Sequence, residues 1–152
     1  MYNVKNERIM KTIKYLVMGV LLAGFSTTAM AQEAELNAAL QAIKNNAADK
    51  ADVVKTAQKK NKKNPTALVA IGRAFYEAQD TAQARNFANL ADEASKHKYA
   101  PAFILLGDIE AYANEGGKAA GYYNQATYCD PKDPTGYYGD RYRLHIFSNW
   151  TI

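Results

Sequence analysis

Apolar side chains recur along most of the chain at the spacing of one helix face. Leu36, Ala39, Leu40 and Ile43 stand at i, i+3, i+4 and i+7, which is the stripe of an amphipathic helix. Asn45-Asn46 with Asp49 predicts a turn. A second helix is expected from about Ala51 to Lys60, with Val53, Val54 and Ala57 inward. Pro65 opens a third helix, since proline is tolerated in a first helical turn, and Leu68, Ile71, Phe75 and Ala78 form its stripe. Gln79-Asp80-Thr81 predicts a turn, and Ala84, Phe87, Ala88, Ala91 and Ala94 a fourth helix. Pro101 opens a fifth with Phe103, Leu106, Ile109 and Ala113, which the run Asn114-Glu115-Gly116-Gly117 breaks. Ala119, Tyr122, Tyr123, Ala126 and Tyr128 follow at helical spacing, and Asp130-Pro131-Lys132-Asp133-Pro134 ends the series. The pattern predicts an all-α fold.

The helices repeat in pairs. Gly72 and Gly107 are 35 residues apart, as are Ala84 and Ala119, Ala88 and Tyr123, and Ala91 and Ala126. Leu68 and Phe103 share that offset, and so do Ile71 and Leu106. Six matches in one register predict a repeated helix–turn–helix unit. A glycine inside a helix costs ~0.5–1 kcal/mol relative to alanine. Its recurrence at one phase predicts a neighbouring helix too close for a Cβ, with Ala84 and Ala119 as the facing small residues.

These residues resemble the tetratricopeptide repeat family, whose motif is W-x2-L-G-x2-Y, then A-x3-F, then alanine and proline. One unit matches through Leu68, Ile71, Gly72, Phe75, Ala84 and Ala91; the next through Phe103, Leu106, Gly107, Ala119, Tyr123, Ala126 and Pro131. It departs at Ala88 for the aromatic, Glu110 for the tyrosine and Lys96 for the final proline. The resemblance covers residues 65–131 well. It implies units at 65–99 and 100–133, a degenerate hairpin at 32–64, and an incomplete repeat or irregular tail at 134–152. It implies hairpins stacked as a short right-handed α-solenoid. Its groove, lined by the first helix of each hairpin, would present Val69, Arg73, Tyr76 and Glu77, then Ile104, Asp108 and Tyr112. Such a mixture suits an extended peptide held by apolar contact and a few charges. An ordinary solvated face is the plain alternative. Val69, Ile104 and Asp108 depart from the Lys and Asn pattern of the family's peptide-carboxylate clamps, so no such clamp is expected.

Ahead of the repeats lies a different text. Lys11 and Lys14 precede an almost wholly apolar run from Tyr15 to Phe25, and Ala29-Met30-Ala31 follows. A basic segment, a short apolar core and a small-x-small site in that order predict an export signal, residues 1–31, with Met10 as an alternative start. The apolar core is shorter than the ~20 residues a spanning helix needs. Cleavage is expected after Ala31, leaving Gln32 first and placing the protein in the periplasm or cell envelope; an uncleaved anchor is the rival reading. Lipid attachment is not expected, since Phe25 stands where a lipoprotein needs cysteine.

The leader also explains the charge. The net charge is +4, and Lys5, Arg8, Lys11 and Lys14 against Glu7 supply three of it, so the rest is near neutral. Nucleic acid is therefore not an expected partner, nor is a membrane once the leader is gone. Lys59, Lys60, Lys62 and Lys63 read either as an anionic-surface patch or as a solvated helix end. The second is preferred, because no aromatic residues interleave as stacking platforms. His97 and His145 are isolated, and Asp108 and Glu110 fall on different helix faces. No HExxH, CxxC, GxSxG or Walker pattern occurs. Cys129 is the one cysteine and reads as a small core-facing residue. Neither an enzyme nor a cofactor is expected. The expectation is a protein-binding scaffold, with a self-associating structural protein of the envelope as the alternative.

The last segment loses the pattern. Tyr137 fits the first core position of a further unit, but Asp140 and Arg141 fall where leucine and glycine belong. From Gly139 no helical stripe remains, and Leu144, Ile146, Phe147 and Trp150 have no repeat position. This reads as an interrupted array, as a shifted reading frame or early stop would give, or as a short binding tail.

Overall fold

The computed structural model describes residues 30–136. The expected leader, apart from its last two residues, and the tail from Tyr137 lie outside the described residues. Within them α1 occupies 30–44, followed by α2 (Lys50–Asn61), α3 (Pro65–Glu77), α4 (Thr81–Ala94), α5 (Ala100–Tyr112) and α6 (Gly116–Cys129). A further helical turn covers 134–136, and no strand occurs among the described residues. α3 packs on α4 and α5 on α6 within hairpins; α2 meets α3 and α4 meets α5 between hairpins, and α3 also touches α5. The chain is an all-α stack of helical hairpins.

Six helix ends have an identifiable local cause. At the start of α3, the Asn64 side chain accepts the Ala67 N–H at 3.2 Å, with proline in the first turn. Asp80 does the same for Gln83 N–H at 3.1 Å at the start of α4, satisfying donors that have no partner within the helix. Four helices end in one shape: Asn46, Gln79, Lys96 and Asn114 have φ of 48°, 63°, 55° and 60°. After α3, Asp80 N–H reaches Phe75 O and Gln79 N–H reaches Tyr76 O, both at 2.9 Å. That is the Schellman arrangement, and no glycine supplies it here. The run Asn114-Glu115-Gly116-Gly117 separates α5 from α6 as the sequence predicts: Asn114 takes the left-handed φ, and the glycines open α6.

The core runs through all three hairpins. Ala39, Ile43, Val54, Ala57, Leu68, Ile71, Phe75, Phe87, Phe103, Leu105, Leu106 and Ile109 are buried in one cluster. Each large one contributes about 1.5–3 kcal/mol through removal from water. Ala84, Ala88, Ala91, Ala119 and Ala126 are buried where helices meet. Val53 is only partly buried, Ala78 and Ala113 are exposed helix ends, and Tyr128 points to solvent at 86% exposure. Pro131 is exposed in the turn after α6 rather than packed.

Both repeated glycines lie at close approaches. A Cβ on Gly107 would stand 2.6 Å from Cε1 of Tyr123, so the ring of Tyr123, not Ala119, is the nearest neighbour. A Cβ on Gly72 would stand 2.9 Å from Leu105 Cδ2 and 3.2 Å from both the Ala84 carbonyl oxygen and Phe87 Cβ. The difference follows from Ala88, which stands where the next unit has Tyr123. Beside Gly72 the side chain in closest approach is Leu105, from the following hairpin.

Candidate functional site

The first helices of successive hairpins, α1 and α3, flank an open groove of ≈ 420 Å³. Leu40, Ala70, Ala74 and Ala78 supply its apolar lining; Gln41, Lys44, Arg73 and Glu77 supply its polar side chains. The width has a residue-level cause, since Ala70 and Ala74 on α3 and Ala78 just past its end leave the space that larger side chains would fill. Arg73 and Glu77, expected in a groove, are in this one.

Tyr76, Asp108 and Tyr112, with Arg73, form a polar cluster where α3 meets α5. Arg73 Nη1 lies 3.4 Å from Asp108 Oδ2. Tyr123 Oη donates to Asp108 Oδ1 at 2.9 Å, and Tyr76 Oη to the Asp108 backbone oxygen at 3.4 Å. Tyr76 and Tyr112 meet edge to face, with ring centroids 6.2 Å apart. Arg73 and Asp108 are counterparts at the 35-residue offset, so the repeat pairs its own equivalent positions. Val69 and Ile104, a second such pair, are 7% and 6% exposed and belong to the core cluster. They therefore offer a partner little surface, because α3 and α5 touch along this line.

The cluster shifts its phenols. Burial holds the Tyr123 hydroxyl proton well above the ordinary 10.0, and the charge of Asp108 beside it adds to the effect. Tyr76 is raised by burial and then by Asp108. Neither phenol is poised to give up a proton near neutrality, so these tyrosines serve as hydrogen-bond donors and apolar surface. Burial also raises the Cys129 thiol, with Asp92 second. Its Sγ is 3.5 Å from the His97 carbonyl oxygen, which leaves the thiol protonated and unactivated.

Two features escaped the sequence reading. Arg85 on α4 and Glu110 on α5 form an ion pair, with the Glu110 side chain 8% exposed. Glu110 stands where the preceding hairpin has Phe75, which stacks on Phe87 at 5.7 Å. The acid in an aromatic position was the available signal. Second, His97, exposed in the turn after α4, has a partner there: its Nδ1 lies 2.7 Å from Asp92 Oδ2. Among the described residues no group of three or more His, Cys, Asp or Glu is placed to hold a metal ion. No described helix is long and apolar enough to cross a membrane. No family model and no curated protein matches the chain.

Proposed function

We propose that the protein is an exported scaffold of tetratricopeptide-like hairpins that holds an extended segment of a partner protein along its first helices. The observation that carries this reading is the groove between α1 and α3, whose alanine-lined side leads to the Arg73–Asp108 and Tyr76–Tyr112 cluster. An extended peptide presents alternating side chains and a free backbone. It matches a surface with small apolar positions and a few separated polar groups. Tyr112, 58% exposed, is a large amphipathic contact of the type enriched in binding hot spots. The Arg73 guanidinium lies 3.4 Å from Asp108, and Arg73 also lines the groove.

The test is selection from a displayed peptide library, followed by affinity measurement. Peptides enriched on the wild-type chain should bind the Arg73→Ala, Tyr112→Ala double variant at least ~10-fold more weakly, as expected for loss of hot-spot contacts. High salt should weaken binding only in part. Equal affinity for both chains, or enrichment of nothing, contradicts the groove reading. Mass that rises with protein concentration in light scattering, with no peptide bound, would favour the self-associating alternative.

A further inference from the structure

The sequence leaves Lys59, Lys60, Lys62 and Lys63 as a solvated helix end. The fold gives them neighbours. The turn after α2 and the turn after α4 lie side by side on one edge of the stack, joined where Tyr99 Oη donates to Thr66 Oγ1 at 3.1 Å. Residues 59–64 and 93–99, which form these turns and the helix ends entering them, contain six lysines and one acid, Glu93. Lys60 is engaged by Glu35. Lys59, Lys62, Lys63, Lys96 and Lys98 are exposed, and none of the five pairs with a carboxylate among the described residues. His97 takes up Asp92. The next turn, with Asp130, Lys132 and Asp133, carries no excess of positive charge, so the basic strip stops there. Beside that stop stands Tyr128, the most exposed large hydrophobic of the described residues at 86%, lining a shallow cavity with His97 and Cys129.

We propose that this edge is a peripheral docking surface for a membrane that carries anionic lipid headgroups. Two observations select that partner. Five unpaired lysines on flexible stems are mobile point charges, suited to a field of phosphates rather than to a fixed bidentate acceptor. An exposed tyrosine at the end of the strip has the apolar body and polar tip of residues that settle at headgroup depth. Nucleic acid fits less well: no exposed aromatic lies between the lysines for bases to stack on. The proposal stands apart from the groove, since none of these residues lines it. It also changes the sequence-based expectation that no membrane contact survives loss of the leader.

Flotation of the full chain with lipid vesicles tests this. Phosphatidylcholine vesicles supply the baseline for the apolar segment 15–25, vesicles containing phosphatidylglycerol supply the anionic surface, and all chains compared carry Lys5→Ala, Arg8→Ala, Lys11→Ala and Lys14→Ala to remove the leader's own charge. The chain should bind the anionic vesicles more tightly. The excess should vanish near 1 M salt, where the screening length falls to ~3 Å. The Lys62→Ala, Lys63→Ala, Lys96→Ala, Lys98→Ala variant should lose at least ~100-fold of the excess, from the contribution each lysine makes near an anionic surface. Its helical circular dichroism should be unchanged, because all four side chains are solvated. Tyr128→Ala should weaken anionic-vesicle binding several-fold without altering its salt dependence. Equal binding to both vesicle types overturns the proposal, as does full binding by the lysine variant. Displacement from anionic vesicles by duplex DNA at comparable phosphate concentration would also overturn it, in favour of a nucleic acid.

Discussion

Gly107 is the residue on which the third hairpin closes. A Cβ there would press on three ring atoms of Tyr123 at 2.6–2.9 Å, and that ring is tied to Asp108 through its hydroxyl. Overpacking of this kind costs ~1–3 kcal/mol, against a gain of ~0.5–1 kcal/mol in helix propensity. Gly107→Leu should therefore melt well below Ala113→Leu, whose side chain enters solvent, and equal melting temperatures would contradict the close crossing. Gln79 makes the opposite prediction. At φ 63° it sits in a conformation that disfavours side chains, so Gln79→Gly should raise the melting temperature by a few degrees. A fall would show that Gln79 makes an unrecognised contact. Tyr123 links stability to pH. Its folded-state proton is held above 10.0, the value expected when unfolded, so unfolding above pH 10 releases a proton the folded state keeps. Its contribution is whole below pH 10 and declines as pH rises beyond it. In melts against pH, the advantage of wild type over Tyr123→Phe should be constant to about pH 10 and shrink above it; a constant gap would place the hydroxyl in solvent.

At the scale of elements, one register position serves two kinds of contact. Glu110 joins α5 to α4 of the preceding hairpin through Arg85, whereas its counterpart Phe75 stacks on Phe87 within its own hairpin. Removing Arg85 leaves a buried carboxylate without its partner, a loss of about 1–3 kcal/mol. Arg85→Ala should lower the melting temperature by more than Arg85→Ala combined with Glu110→Leu, which removes the stranded charge. Equal losses would mean that water already serves Glu110. The helices themselves were legible because their stripes are regular: Leu68, Ile71 and Phe75 on α3 are all buried as their spacing predicts. Helix ends were less legible. Their left-handed residues are Asn, Gln and Lys rather than glycine, so residue type does not mark the position that stops each helix. Cross-element partners were least legible, since nothing in the text between Arg85 and Glu110 marks them as neighbours.

For the whole molecule, stacking converts positions that are distant in sequence into two surfaces. The first helices form a groove with small apolar and paired polar residues, and the turns between hairpins form a basic edge. Arg73 and Asp108 were both foreseen as groove residues from one register, but not as each other's partners. Val69 and Ile104 were foreseen there too, and they are spent on contact between hairpins. The most direct test of the groove is site-specific photo-crosslinking in cells that express the chain, with the reactive side chain placed at Glu77 or at Asn86. Glu77 lines the space between α1 and α3, while Asn86 is exposed on α4 beside a separate cavity shared with α2. The account predicts an adduct with another protein from position 77 and none from position 86. Equal adducts from both positions, adducts only between copies of this chain, or none from position 77 would contradict it.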